Sequence, residues 1–266
     1  MIRPGEIQKK ATVVGVRDQQ IEKDYILSWI LKGVSQHEKL SKQLIFKGGT
    51  VLKKFYFEDY RFSEDLDFTI RNTEVTNDYI FQWFAEVFEF IREEANVPLE
   101  IQDGNEHEDG GFNFYIGYVG PLGGQGNNKR VKVDISKSEL VVFEPVITTS
   151  FEEYSDLEPF SLSCYPLEEV LIEKMRSVMQ RMQARDYYDI WYLLEIHEME
   201  IAYYMQEFDT KCKQKGLNSH DFIERLNQRR PQYEARWEKS MKDQIKNLPA
   251  FEQVDREVQR HLKIIK

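Results

Sequence analysis

Cysteine is nearly absent from this 266-residue chain, which holds only Cys164 and Cys212. They lie far apart without metal-ligand spacing, which fits reduced thiols in a cytoplasmic protein rather than a disulfide scaffold or a zinc site. Long apolar runs are missing too, and no stretch approaches the length needed to span a bilayer. The opening Met1-Ile2-Arg3-Pro4-Gly5-Glu6 lacks the apolar core of a secretory signal, so the expected location is the cytoplasm, with no membrane partner. Positive charge is scarce: 36 Lys and Arg face 46 Asp and Glu, a formal net charge of −10. Such a chain is not a generic coater of nucleic acid, because non-specific binding rests on Lys and Arg neutralising phosphates. The sum does not exclude nucleic acid as a substrate, since a local basic patch can stand beside an acidic centre.

What the chain does hold is apolar and aromatic material: 41% hydrophobic residues, with 17 Phe, 14 Tyr and 4 Trp. That suffices for a real core and excludes wholesale disorder. The length suits one large domain or a domain with a helical extension.

The centre of the sequence is Phe46-Lys47-Gly48-Gly49-Thr50-Val51-Leu52-Lys53-Lys54, followed by Arg61-Phe62-Ser63-Glu64-Asp65-Leu66-Asp67-Phe68. A short strand over 44–47 ends in a glycine turn and resumes in helix formers. Glycines let a backbone approach a phosphate, and free N–H groups at a helix start favour an anion, which makes Gly48, Gly49 and Thr50 candidates for a triphosphate cradle. Lys53, one turn on, is a candidate phosphate contact or a solvated surface lysine. Arg61 and Ser63 precede the carboxylates, and Arg61 suits a phosphate or a carboxylate partner. On a strand, Asp65 and Asp67 share one face while Leu66 and Phe68 share the other. Two carboxylates beside a phosphate cradle suit a divalent cation and a nucleoside triphosphate.

Around this centre, apolar spacing predicts helices over 17–38 and 76–95, the latter with Ile80, Phe84, Val87, Phe88 and Ile91 as its buried stripe. Residues 1–16 carry no clear pattern. Two strand-like runs, 111–119 and 129–135, flank the glycine-rich Gly120–Asn128, which reads as a hairpin connection because no helix start follows it. On the second run Arg130, Lys132 and Asp134 alternate with Val131, Val133 and Ile135. If that strand pairs beside the Asp65/Asp67 strand, Asp134 joins the same cluster; otherwise it is an exposed edge residue. Residues 144–166, with Pro145, Pro159 and Pro166, read as a connection. A long helical stretch over 167–197, broken near Gln183–Ala184, places Lys174 on or beside an apolar stripe and Asp186 and Asp189 on one face. A buried ion pair or a role at the nucleotide phosphates would each explain them. The charged tail beyond Ile201 includes Lys211, Lys213, Lys215, Arg225, Arg229, Arg230 and Arg236, either a solvated face or a contact for RNA.

Gly-Gly-Thr followed by Asp-Leu-Asp resembles the signature of the polymerase-beta-like nucleotidyltransferase superfamily. The fuller Phe46–Thr50 and Arg61–Phe68 motifs resemble the AbiEii/AbiGii toxin family, related to MenT-type toxins. Ile21–Leu27 is similar to that family's opening helix, and Leu167–Lys174 and Ala184–Trp191 resemble its two C-terminal motifs, so the likeness spans about residues 20–195. The resemblance implies an α/β (α+β) fold: a nucleotidyltransferase core with a mixed sheet over 1–155 and a helical C-terminal domain over 156–266. It implies transfer of a nucleoside monophosphate from an NTP to an acceptor hydroxyl with release of pyrophosphate. Asp65, Asp67 and a third acidic residue, matched by Asp134, would hold Mg²⁺ or Mn²⁺, and Lys174 and Asp186 belong to the site, with Asp189 nearby in the motif. The implied acceptor is the 3′ end of tRNA, with action through GTP binding as the other option. The implied setting is a toxin–antitoxin or phage-defence system of the abortive-infection kind, with a cognate antitoxin. Two other classes stay open: an NTP-sensing module without turnover and a metal-dependent nuclease. The glycine turn argues against the nuclease, which needs no triphosphate cradle.

Overall fold

The computed structural model describes residues 1–265 except 109, 125, 127 and 128. The chain divides into two units: Met1–Glu139 with Pro145–Cys164, and Leu140–Glu144 with everything from Tyr165 onward.

The first unit is built on a seven-stranded mixed sheet. Its strands are β1 (Leu44–Lys47), β2 (Asp65–Ile70), β3 (Leu99–Glu106), β4 (Phe112–Tyr118), β5 (Arg130–Ser136), β6 (Val146–Thr149) and β7 (Ser161–Cys164). They run side by side in the order β3-β4-β5-β2-β1-β7-β6. β2 and β5 are parallel, as are β1 and β7; the other neighbours are antiparallel. This unit also holds α1 (Pro4–Val14), α2 (Asp18–Gln36), α3 (Glu38–Gln43), α4 (Gly48–Val51), which continues as a π turn over Leu52–Tyr56, and α5 (Asn77–Ala95).

Strand alternation divides the central sheet cleanly. Leu66 pairs with Val133, Phe68 with Ile135, and Phe114 with Val133, so one face is a continuous apolar surface, fully buried. Phe84 of α5 meets Phe114 edge-on with ring centres 5.2 Å apart, and α5 packs in turn on α2. Gly33 lets those two helices close up, since a Cβ there would stand 2.5 Å from Val87 Cγ1. The Thr76 hydroxyl caps α5, and Asn96 closes it in the left-handed region at φ 53°. The predicted stripe of α5 is buried as expected. The opposite sheet face carries the polar alternates, Asp65, Asp67, Lys132 and Asp134 among them.

The second unit is helical: α6 (Leu167–Gln180), α7 (Ala184–Trp191), which continues as a π turn over Tyr192–Ile196, α8 (Met205–Gln214), α9 (Phe222–Gln228), α10 (Arg230–Met241) and α11 (Phe251–Leu262). Its core is aromatic. Tyr187 of α7 lies 5.1 Å from Tyr233 of α10 and 5.6 Å from Phe251 of α11, ring centre to ring centre.

The mixed sheet with a helical partner is the fold class that the motifs imply. Two segments differ from expectation. Residues 144–166 are not simply a connection: they contain β6 and β7, and β7 lies parallel to β1 with Phe46 opposite Cys164. Both strands are four residues long and bounded by prolines, too short to show alternation. Residues 1–16 contain α1, with Pro4 in its first turn and Gly15 capping it at φ 71°. The 120–128 segment does join the antiparallel pair β4 and β5; of it, Gln125, Asn127 and Asn128 lie outside the described residues. Both cysteines are free and buried, and burial pushes the Cys212 thiol up to about 11. No described helix is long and apolar enough to cross a membrane.

Candidate active site

Parallel pairing of β2 and β5 decides the geometry. Asp67 stands level with Asp134, and Asp65 stands level with Lys132. Neighbouring strands are about 4.8 Å apart and paired side chains share a face, so the three carboxylates and the amine occupy one patch. The condition set by the sequence, that the Asp134 strand lie beside the Asp65/Asp67 strand, is met.

The glycine turn closes on this patch. Lys47, the last residue of β1, is opposite Asp67, and Gly48 then turns the chain with φ +80°, a conformation costly for any side chain. A Cβ on Gly48 would collide with Asp67 Oδ2. A Cβ on Gly49 would stand 2.7 Å from Arg61 Nη2 and 3.4 Å from Ser63 Oγ. Both glycines are thus explained by protein packed against them: a carboxylate on one, a buried guanidinium on the other. Arg61, 1% exposed, also donates from Nη1 to the Phe62 carbonyl at 3.1 Å. The Thr50 hydroxyl donates to the Asp65 carbonyl at 2.5 Å, fixing the start of α4 to the start of β2.

Lys132 sets the electrostatics. Its Nζ lies 3.0 Å from Asp134 Oδ2. Burial alone would lower this amine, but the hydrogen bond to Asp134 and the fields of Asp134, Asp67 and Asp65 outweigh it and hold its pKa above the usual lysine value. The patch thus already holds one ammonium, bonded to Asp134 and kept charged by the neighbouring carboxylates.

Among the described residues, no three His, Cys, Asp or Glu side chains close on one point as a metal cage. The donor set nevertheless suits Mg²⁺ chemically, because that ion is commonly held by one or two carboxylates together with substrate phosphates.

Lys53 does not stay on the surface. Its amine is committed to the Glu58 carbonyl and to Glu153 Oε1 at 3.2 Å, inside a buried network in which Lys54 bonds Asp24 at 2.6 Å and Glu153 at 2.5 Å. Lys53, read from the sequence as a phosphate contact or a solvated lysine, is thus buried in a structural network. Its partner comes from a segment 100 residues downstream, beyond the reach of any local pattern.

In the second unit, Lys174 Nζ lies 2.9 Å from Asp186 Oδ1 and 2.7 Å from Asp189 Oδ2, and both aspartates are fully buried. Arg181 adds a two-pronged contact to Asp186, with Nε 2.7 Å from Oδ2 and Nη2 3.0 Å from Oδ1. Burial would raise the Asp186 carboxyl, but Lys174 and Arg181 hold it below the usual range. The basic residues of the tail are largely neutralised. Lys211 is fully buried with Glu169, while Lys213 and Arg225 pair with Asp209 and Asp221 one turn away. Arg229 and Arg236 cap the Val178 and Met182 carbonyls.

The family described as "Nucleotidyl transferase AbiEii toxin, Type IV TA system" matches residues 29–258. The chain belongs to this family. It is therefore a nucleotidyltransferase of the toxin class found in type IV toxin–antitoxin systems, and membership implies an NTP substrate and an antitoxin. Among solved structures, the fold is similar to that of MenT4, a nucleotidyltransferase toxin from Mycobacterium tuberculosis H37Rv. The TM-score is 0.70 at 16% identity, covering 98% of this chain and 88% of that one. JHP933 from Helicobacter pylori is similar at TM-score 0.58 and 15% identity, covering 94% and 93%. No curated protein sequence matches the chain.

Two residues at the patch had no role assigned from the sequence: Lys47, inside the Phe46–Thr50 motif, and Lys132, outside the motifs. Lys132 was detectable, two before Asp134 on an alternating strand. Lys47 needed the pairing of β1 with β2.

Proposed function

We propose that this AbiEii-family protein transfers a nucleoside monophosphate from an NTP to the 3′ hydroxyl of an RNA, with tRNA as the acceptor, and releases pyrophosphate. The observation that carries the reading is the contact of Gly48 with the Asp67 carboxylate, itself level with Asp134. A phosphate held at the turn and a cation held at the carboxylates would share one point, as phosphoryl transfer requires.

In this reading the Gly48-Gly49-Thr50 backbone holds the triphosphate, with Arg61 and Ser63 bracing the turn from beneath. Asp65 and Asp67, with Asp134, would hold Mg²⁺ or Mn²⁺, which when bound polarises the phosphoryl oxygens and offsets charge on the departing pyrophosphate. Asp134 accepts the proton of the acceptor hydroxyl as its oxygen bonds to the α-phosphorus. The bond to the β-phosphate bridging oxygen breaks, and pyrophosphate leaves. Lys174 and Asp186 are required for transfer on the strength of the family motifs. Arrest of translation through modified tRNA would suit a toxin used in phage defence.

The test is incubation of purified protein with Mg²⁺, each labelled NTP in turn and total tRNA, beside an Asp65→Ala/Asp67→Ala control. Label on tRNA with one NTP, lost in the control, is the expected result. Label remaining in free NTP with tRNA intact would point to another acceptor or to an NTP sensor. Shortened tRNA without NTP would indicate a nuclease.

A further inference from the structure

A cleft of about 680 Å³ opens beside Asp65, between the first turns of α2, the starts of β2 and β5, and the middle of β4. Its size is that of a small-ligand or nucleotide site, and its charge departs from the rest of this acidic chain. Arg17 and Lys23 reach it from α2, Arg130 and Lys132 from β5, against Glu64 and Asp65. Lys23 pairs with Glu64 at 3.1 Å and Lys132 with Asp134.

Two further features point to a nucleobase rather than a bare anion. The Arg130 guanidinium lies over the Tyr115 ring, 4.0 Å from its centre, a preformed cation–aromatic pair of the kind against which unpaired bases settle. Gln20, which lines the cleft, is 95% buried from its 5% exposure, and its side-chain Nε2 has no hydrogen-bond partner. A buried donor without an acceptor is costly; a base carbonyl or a ribose hydroxyl would satisfy it.

The sheet order says which nucleotide belongs there. The glycine turn follows β1 on one side of β2, and the cleft lies on the other side, at β5 and β4. In-line displacement places the attacking hydroxyl across the α-phosphorus from the leaving pyrophosphate. We infer that this cleft is the acceptor subsite and takes the single-stranded 3′ end of an RNA, with the terminal base stacked on Arg130–Tyr115, Gln20 bonded to its base or ribose, and Arg17 and Lys23 on its phosphates. The inference rests on the transfer reading above for its direction, with the triphosphate at the turn.

The experiment is fluorescence anisotropy of the full-length protein with a 5′-labelled single-stranded RNA bearing a free 3′ hydroxyl, without NTP. NTP affinity is measured separately by equilibrium dialysis. Tyr115→Ala and Arg130→Ala should each weaken RNA binding about tenfold, Gln20→Leu several-fold, and Tyr115→Phe little, with NTP affinity unchanged. Should Arg130→Ala fail to fold, Arg130→Lys keeps the charge, loses the plane and should still weaken RNA binding. RNA affinity equal to wild type in the folded variants overturns the inference. So does a fall in NTP affinity alone, which would assign the cleft to the NTP base. Because binding is read without NTP, RNA bound here without transfer would sink the transfer reading and leave this subsite standing. Transfer with unaltered RNA affinity would do the reverse.

Discussion

Asp67 on β2 and Asp134 on β5 are level partners in one parallel ladder, two carboxylates held side by side by backbone hydrogen bonding. Like charges at that spacing repel, and the Lys132 ammonium relieves the repulsion at Asp134. Asp134→Asn keeps the shape and removes the proton acceptor. Transfer should fall about 10²–10⁴-fold while NTP binding persists. Single-turnover label transfer checks this, and a rate within threefold of wild type would remove Asp134 from the role of base.

Gly48 and Gly110 share φ +80° but differ in surroundings: a Cβ on Gly48 meets the Asp67 carboxylate, while one on Gly110 meets nothing within 4 Å. Alanine at either position carries the left-handed strain, about 1–2 kcal/mol. Only Gly48→Ala should also displace Asp67 and abolish transfer. Thermal unfolding beside initial rates separates the two effects; equal activity in both variants would mean the contact with Asp67 is unimportant.

Local pattern exposed much of this. The strand–glycine–strand succession and the stripe of α5 follow from alternation and helical spacing over a few residues. Asp134 could be placed on the correct strand face, but its registry with Asp67 depends on parallel pairing between segments more than 60 positions apart, which alternation does not encode. Lys53 shows the same boundary from the other side. Its spacing from Gly49 suited a phosphate, yet Glu153, distant in sequence, claims its amine. Strands as short as β6 and β7 are recognisable only through their neighbours.

Glu153 makes stability depend on acidity. Burial would raise its carboxyl, but the ammonium groups of Lys54 and Lys53 outweigh that and hold it at about 2. A folded value below the unfolded one, near 4.5, contributes stability that is fully present above pH 4.5 and lost as pH falls from there toward 2. Glu153→Gln leaves buried ammonium groups short of a partner, so it should cost about 3–5 kcal/mol at neutral pH and flatten the acid limb. Melting temperatures across pH 7 to 3 test both; parallel curves for the two proteins would show that Glu153 is not the group responsible.

Lys174, Asp186 and Asp189 need an experiment that separates holding the fold from doing chemistry. Removing one member of a buried charge cluster leaves the others uncompensated, so Asp186→Leu or Lys174→Met alone should destabilise the second unit by about 3–5 kcal/mol. Activity lost with it would prove nothing. Replacing the set together, Lys174→Met with Asp186→Leu and Asp189→Leu, removes the three buried charges at once, with Arg181 half-exposed at their edge. Apolar residues of similar volume often match a buried ion cluster in stability. The triple variant should therefore melt near wild type, and if the cluster serves nucleotidyl transfer it should still transfer no label. A stable triple variant with wild-type transfer would make the cluster a packing device alone.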